Sequence, residues 1–153
     1  VDRREIVNQD MQPRTRLLTM RVGEARVAVN VGRVREVLRA TDLVPVPLVP
    51  APVCGIVNLR GNVVTVLDFG ALVGSREECS GNRIVLVRDG REEVGILVDE
   101  VYDVREIDQE DVFALDREDA GLNSAVLSGG FYHQGILYAV IDLEEIMGRE
   151  IKP

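Results

Sequence analysis

The stretch GEARVAVNVGRVREV, starting at Gly23, returns as GREEVGILVDEVYDV at Gly90, with a constant offset of 67 residues and no gap. Val27, Val29, Val31, Val34 and Val37 fall on Val94, Ile96, Val98, Val101 and Val104. A second block repeats at an offset of 74, where Gly55, Gly61, Val66, Asp68, Leu72 and Gly74 fall on Gly129, Gly135, Val140, Asp142, Ile146 and Gly148. The second half simply carries seven more residues between its blocks. Two copies at this spacing are too few and too long for a solenoid, so the chain reads as two similar β-rich lobes in one unit. About five short strands per lobe point to a mainly β fold of paired small barrels, which hide their strand edges by closing. A chain of 153 residues buries about 70% of the surface its unfolded form exposes, enough for a real core.

Residues 1–15 are polar and read as a tail ahead of a single domain over 16–153, with approximate lobes 16–75 and 76–150 between which strands can be exchanged. In RLLTMRV and ARVAVNV, alternation across Gly23-Glu24 predicts a hairpin with a type II′ turn. The spacing of Val34, Val37 and Leu38 predicts a short helical face in GRVREVLRA. Prolines 45, 47, 50 and 52 force the next segment to be extended or looped. GIVNLRGNVVTVLDF predicts a hairpin turning at Gly61-Asn62, and Asp89-Gly90 predicts a type I′ turn between NRIVLVR and EEVGILV. Residues 101–107 continue β-like, the acidic stretch from Asp108 to Asp119 is irregular with a helical turn, GILYAVIDL is a final strand, and EEIMG a helical turn.

Composition narrows the function classes. The 18 Lys and Arg against 26 Asp and Glu give a net charge of −8, which repels nucleic acid and anionic lipid. Aromatic residues are only 4%, too few for the stacking platforms of a single-strand-binding barrel. There is no uninterrupted apolar run of the ~20 residues that direct membrane insertion requires, and the opening VDRREIVNQDMQPR lacks the apolar region of a secretory signal. Cys54 and Cys79 lie far apart without a CxxC spacing, suggesting neither a disulfide scaffold nor a zinc site, and a reducing cytoplasm fits this best.

An enzyme needs converging acids, bases or nucleophiles, and the single histidine, His133, stands beside a turn. Cys54 lacks a matching base and reads as a small buried hydrophobe. Asp68 and Asp142, at equivalent repeat positions before helical turns, read as N-caps. The acidic stretch lacks the glycine and alternating oxygen ligands of a calcium loop, and no phosphate-binding glycine loop occurs, so no metal or cofactor is expected. Asn58 and Arg60 differ from their repeat counterparts Tyr132 and Gln134. Two readings stand: Asn58 bonds nearby backbone while Arg60 is a solvated hairpin charge, or the pair is a lobe-specific recognition device.

GIVNLRGNVVTVLDFGALVG resembles the G-x-x-NLRG-x-x-x-x-V-x-DL block of CheW-like domains, and VGILVDEVYDV resembles their second-lobe block. AVNVGRVREVL and SGGFYHQGILYAVIDLEEIM are similar to two further segments, so the resemblance runs from about residue 16 to residue 148. Thr65 stands where the family often has Pro, and Phe69 where it often has Leu. The resemblance implies two SH3-like five-stranded β-barrels and a non-enzymatic scaffold that couples chemoreceptors to a CheA-type histidine kinase. The implied partners are the helical tip of the receptors and the kinase regulatory domain, in a bacterial or archaeal cytoplasm at membrane receptor arrays. Barrel rims and an apolar seam between lobes would suit an amphipathic helix. The implied first-lobe surface is Val34, Glu36 and Val37 with Asn58, Leu59, Arg60 and Gly61; Val98, Asp99 and Val101 form a second-lobe set. A regulatory fragment of a larger kinase or a receiver-fused coupling protein is the alternative within the family.

Overall fold

The computed structural model describes residues 14–49, 52–74, 79–115, 122 and 127–150. The chain forms strands β1 (Arg14–Val22), β2 (Ala25–Asn30), β3 (Val34–Arg39), β4 (Val44–Pro45), β5 (Val53–Leu59) and β6 (Asn62–Asp68), then helix α1 (Phe69–Leu72). Strands β7 (Arg83–Asp89), β8 (Glu92–Val98), β9 (Glu100–Asp108), β10 (Leu127–His133) and β11 (Ile136–Ile141) follow, with helix α2 (Leu143–Glu150) at the end. Short 3-10 turns cover Val31–Arg33, Ala40–Asp42 and Gln109–Asp111. Residues 1–13 of the polar tail and 116–119 of the acidic stretch lie outside the described residues, while Arg14 and Thr15 belong to β1 rather than to a tail.

The strands form two sheets, ordered β10-β11-β2-β1-β9 and β3-β7-β8-β6-β5-β4. Strands are exchanged between the repeats. The hairpin β1–β2 of the first repeat joins β9, β10 and β11 of the second, and the hairpin β7–β8 of the second joins β3 to β6 of the first. The seams correspond in detail: β6 runs parallel to β8 with Val66 opposite Gly95, and β11 runs parallel to β2 with Val140 opposite Ala28. By the two repeat offsets, these are the same residue pair made twice. The result is a mainly β fold of two SH3-like subdomains, the first with β4 as a sixth strand. In the other sheet, a single bridge between Phe113 and Gly130 takes the place of β4.

The apolar alternation places the cores. The largest buried cluster joins Met20, Val27 and Val29 of one hairpin to Val85, Ile96 and Val98 of the other, with Phe69 and Ile146 from the helices, so it lies between the sheets. Inside the six-stranded subdomain, Cys54, Val57, Val64, Val66, Ile84, Leu86 and Leu97 pack together. Inside the other, Leu17, Ala28, Phe131 and Tyr138 do the same, with the two rings stacked 5.2 Å apart. Phe131 and Tyr138 replace Val57 and Val64 by the repeat, so two large rings fill a space that the first repeat fills with more, smaller side chains.

Several elements differ from the sequence expectation. GRVREVLRA is a 3-10 turn followed by strand β3 rather than a helical face. The i, i+3, i+4 spacing was satisfied by a strand because a register irregularity between Val34 and Glu36 against β7 resets the phase of alternation. The turn between β7 and β8 is Gly90-Arg91, one residue later than expected, since Asp89 pairs with Glu92. Gly90 has φ +62° and Gly23 has φ +59°, so both hairpins use a glycine-first type II′ turn, at equivalent repeat positions. The turn between β5 and β6 is Arg60-Gly61, one residue earlier than expected, since Leu59 pairs with Asn62. Asp68 caps α1 by accepting the Ala71 N–H at 3.2 Å, and Asp142 accepts from Glu144 at 3.0 Å, as their placement predicts.

The cysteines are a correction as well. Cys54 on β5 and Cys79 ahead of β7 are joined by a disulfide, with Cα atoms 5.8 Å apart and a sequence separation of 25. The excursion through β6 and α1 returns the chain to the base of β5, which sequence separation could not foretell. A closed loop of this length destabilises the unfolded chain by about 3 kcal/mol in the loop-entropy account.

Gly55 lets β4 lie against β5, because a Cβ there would run into the Val44 carbonyl and Pro45 Cα. Its repeat counterpart Gly129 would meet Val112 Cγ1 at 2.7 Å and the Phe113 carbonyl oxygen at 3.0 Å. Both repeats therefore use a glycine to admit a crossing segment. Because the obstacle at Gly55 is backbone, Gly55→Ala is expected to cost about 2 kcal/mol. A lowered urea midpoint with an unchanged slope is the outcome expected, and an unchanged midpoint would show that β4 is not held by this contact.

Candidate functional site

Arg60 sits at the tip of the β5–β6 hairpin with φ +51°, followed by Gly61 at φ +86°. Two left-handed residues make a type I′ turn, whose twist matches that of the flanking strands. The counterparts Gln134 and Gly135 repeat it, at φ +51° and +76°, so the turn is shared scaffold and only the tip side chain differs. Asn58 Oδ1 accepts the Gly61 N–H at 3.1 Å, closing the turn from within. Asn58 is thus a brace for the hairpin, as the local-bonding reading of the sequence held.

Arg60 reaches from this tip to strand β3, where its Nη2 lies 2.9 Å from Glu36 Oε1. The side chain is 68% exposed, so the ion pair contributes at most about 1 kcal/mol to stability. Its main effect is positional. A flexible cation becomes a guanidinium held at a known place, with most of its donor fork in solvent. Glu36 pairs with Leu86 and shares a side of β3 with Leu38, which packs on the inner cluster, whereas half-buried Val34 and exposed Val37 pair with Val87 and Val85 on the other side. Leu59 is half-buried against the inner cluster of its subdomain.

The structure thus brings Glu36, Asn58, Arg60 and Gly61 together at one tip. The second-lobe set has another character. Val98 is fully buried, so its side chain belongs to the core and not to a surface. Asp99 accepts the Gly23 N–H at 2.5 Å and donates its own N–H to the Arg21 carbonyl at 3.0 Å, pinning the β1–β2 turn. Val101 is half-buried against the core. Asp99 and Val101 also line an open cleft of about 810 Å³ between the start of β9 and the ends of β3 and β7, together with Arg39, Asn82, Arg83 and Glu100. This lining is mostly polar and carries both charges, so the apolar seam expected from the sequence is not what this cleft provides.

The sequence reading missed an apolar face. Pairing of Asn58 with Val63, Ile56 with Thr65, and Val44 with Ile56 puts all five on the outer side of β4–β5–β6. Val63 is 65% exposed and Val44 55%. The signal was present in Val63-Val64: adjacent residues of a strand face opposite ways, and Val64 is needed inside. On the other subdomain, Tyr132 has no side-chain amide to brace its turn, and its exposed ring stacks on Phe113 at 5.5 Å.

The candidate nucleophile Cys54 is half of a disulfide, and His133 lies with its Nε2 buried and without a hydrogen-bond partner. Among the described residues, no group of three or more His, Cys, Asp or Glu is gathered as metal ligands would be. The roles assigned above separate by measurement. Asp99→Ala leaves a part-buried N–H unpaired and is expected to lower stability by about 2 kcal/mol, while Arg60→Ala changes it by less than about 1. Chemical denaturation of both variants checks this; equal losses would mean that the tip ion pair is structural.

With this geometry in view, the comparisons with known proteins agree with one another. The CheW-like domain family matches residues 16–150. "Chemotaxis protein CheW" of Rhizobium meliloti is 29% identical over 136 residues, covering 88% of each chain. "Protein FrzA" of Myxococcus xanthus is 32% identical over 103 residues, covering 66% of this chain and 64% of its own. The crystal structure of the scaffolding protein TtCheW from Thermoanaerobacter tengcongensis superposes with a TM-score of 0.77 at 21% identity, covering 92% of each chain. The family match spans both β subdomains and the hairpin that carries Asn58, Leu59, Arg60 and Gly61: the chain belongs to the CheW-like domain family.

Proposed function

We propose that this protein is a non-enzymatic scaffold that couples chemoreceptors to a CheA-type histidine kinase, and that it does so by holding both partners in fixed relation. The observation that carries the reading is the hairpin tip, where an exposed arginine is oriented by Glu36 and braced by the Asn58 turn. An oriented guanidinium binds a carboxylate or a backbone carbonyl with little further loss of side-chain freedom. Beside it, the outer face bearing Val44, Ile56 and Val63 supplies apolar area that a partner can cover. A charged anchor next to an apolar face is the usual composition of an interface hot spot and its surround. Chemotaxis names borne by the family's members support the same reading.

The kinase regulatory domain is assigned to this first-subdomain surface. The receptor's helical tip is assigned to a different face, since one rigid body must hold two partners at once. On this reading, recruitment to membrane receptor arrays in the cytoplasm rests on contacts with the receptor and the kinase; no helix among the described residues is long and apolar enough to cross a membrane. A second reading, a regulatory segment of a larger kinase, places the same hairpin at the same kind of interface.

Titration of the protein against a purified kinase regulatory domain and, separately, against a receptor-tip helical hairpin tests the proposal. Binding to both is expected. Arg60→Ala should weaken binding to at least one partner by about 1 to 4 kcal/mol, and Val63→Glu should weaken the kinase contact while leaving the thermal midpoint within a few degrees of the parent. Binding to neither partner at low and moderate salt would overturn the coupling role.

A further inference from the structure

We propose that the Cys54–Cys79 pair is a reversible redox site, opened and closed by small thiols and disulfides while the protein stays folded. The two sulfurs are in different surroundings. Cys54 is 8% exposed, at the irregularity in the β5–β6 register, within the inner cluster of its subdomain. Cys79 is exposed, in the segment that enters β7. Thiol–disulfide exchange requires a thiolate to reach one sulfur of the bond, and Cys79 Sγ offers that access from solvent. An exposed bond of this kind exchanges readily, unlike a bond with both sulfurs in the core.

The surrounding backbone accommodates the open state too. Cys54 Sγ lies 3.9 Å from the Pro52 carbonyl oxygen, and Cys79 Sγ lies 3.9 Å from that of Val53. On reduction each new S–H finds an acceptor already in place, so opening leaves no buried thiol in need of a partner. This second observation shows that the open state is accommodated without rearrangement of the nearby backbone. The chemistry balances in two steps. A dithiol's thiolate attacks Cys79 Sγ, the S–S bond breaks, and Cys54 leaves as a thiolate that takes up a proton. The dithiol's second thiol then displaces Cys79, and the dithiol ends oxidised by two electrons. In the reverse direction two thiols close on loss of two electrons and two protons to a small disulfide, or to hydrogen peroxide, which becomes two waters.

Closure adds a covalent tie between two parts of the fold that otherwise meet through the β5–β6–β8–β7 ladder and the inner cluster. On one side is the base of β5, where Gly55 pairs with Pro45 of β4. On the other is the entry to β7, where Asn82 donates to the Val98 carbonyl and accepts from the Ala40 N–H. The oxidised state holds these together as one unit. The reduced state leaves the β4–β5 edge and the segment at 79–82 free to open locally, with the global fold retained.

The test uses the full chain under native conditions and is independent of any binding partner, so it stands or falls apart from the scaffold reading. After dithiothreitol, iodoacetamide should add two labels by intact mass; after glutathione disulfide it should add none, with unchanged circular dichroism in both states. Amides of residues 53–56 and 80–83 should exchange at least tenfold faster in the reduced protein. Cys79→Ser should show the fast rate whatever the redox buffer. Labelling that requires denaturant, failure of glutathione disulfide to close the bond in the folded chain, or equal exchange in the two states would each overturn the proposal.

Discussion

Two parallel strand pairings, β6 with β8 and β11 with β2, hold the rest of the structure in place. Each joins a hairpin of one repeat to strands of the other, so each subdomain is completed by a piece of its sibling. Strand exchange of this kind makes the interface between lobes a hydrogen-bonded seam inside each sheet, reinforced by an apolar core between the sheets. Rocking of one sheet against the other would have to disturb that core and strain the chain crossings that knit each repeat into both sheets. A scaffold that sets the geometry of two partners gains from that rigidity, since a joint with slack would transmit position poorly.

Duplication supplied the frame, and divergence within it supplied the distinct surfaces. The two type I′ tips share backbone, yet one carries Arg60 braced by Asn58 and the other carries Gln134 beside an exposed Tyr132–Phe113 stack. The interiors diverged as well, with Phe131 and Tyr138 in one subdomain at the places of Val57 and Val64 in the other. Such changes are tolerated because total filled volume, more than the identity of each residue, keeps a small barrel closed.

Much of this was legible in the sequence, for reasons that can be located. Hairpins at Gly23 and Gly90 were visible because glycine before a polar residue between alternating runs leaves few other conformations. Their register was harder to read: Gly61 could serve as the first or second turn residue, and only the pairing of Leu59 with Asn62 decides between them. The spacing of Val34, Val37 and Leu38 fits a helix or an irregular strand equally well, and the partner strand β7 made the choice. Strand exchange, the Glu36–Arg60 ion pair and the Cys54–Cys79 bond all depend on which segments meet in space. Periodicity records which way a side chain faces, never which strand lies opposite it.

The exchange also imposes an order of events on a chain made from one end. The hairpin β1–β2 is the first to be formed, yet its parallel partner β11 is nearly the last, and β9 lies between. Throughout synthesis of the intervening strands, the apolar face of Leu17 and Ala28 lacks Phe131 and Tyr138, which finally bury it. The six-stranded sheet can close once β8 is available, more than forty residues before β11 is complete. The early hairpin therefore passes a long nascent interval as an unpaired edge, and contacts this distant along the chain form slowly. The protein thus has a built-in delay between making its first element and protecting it, during which a second nascent copy could supply the missing strand.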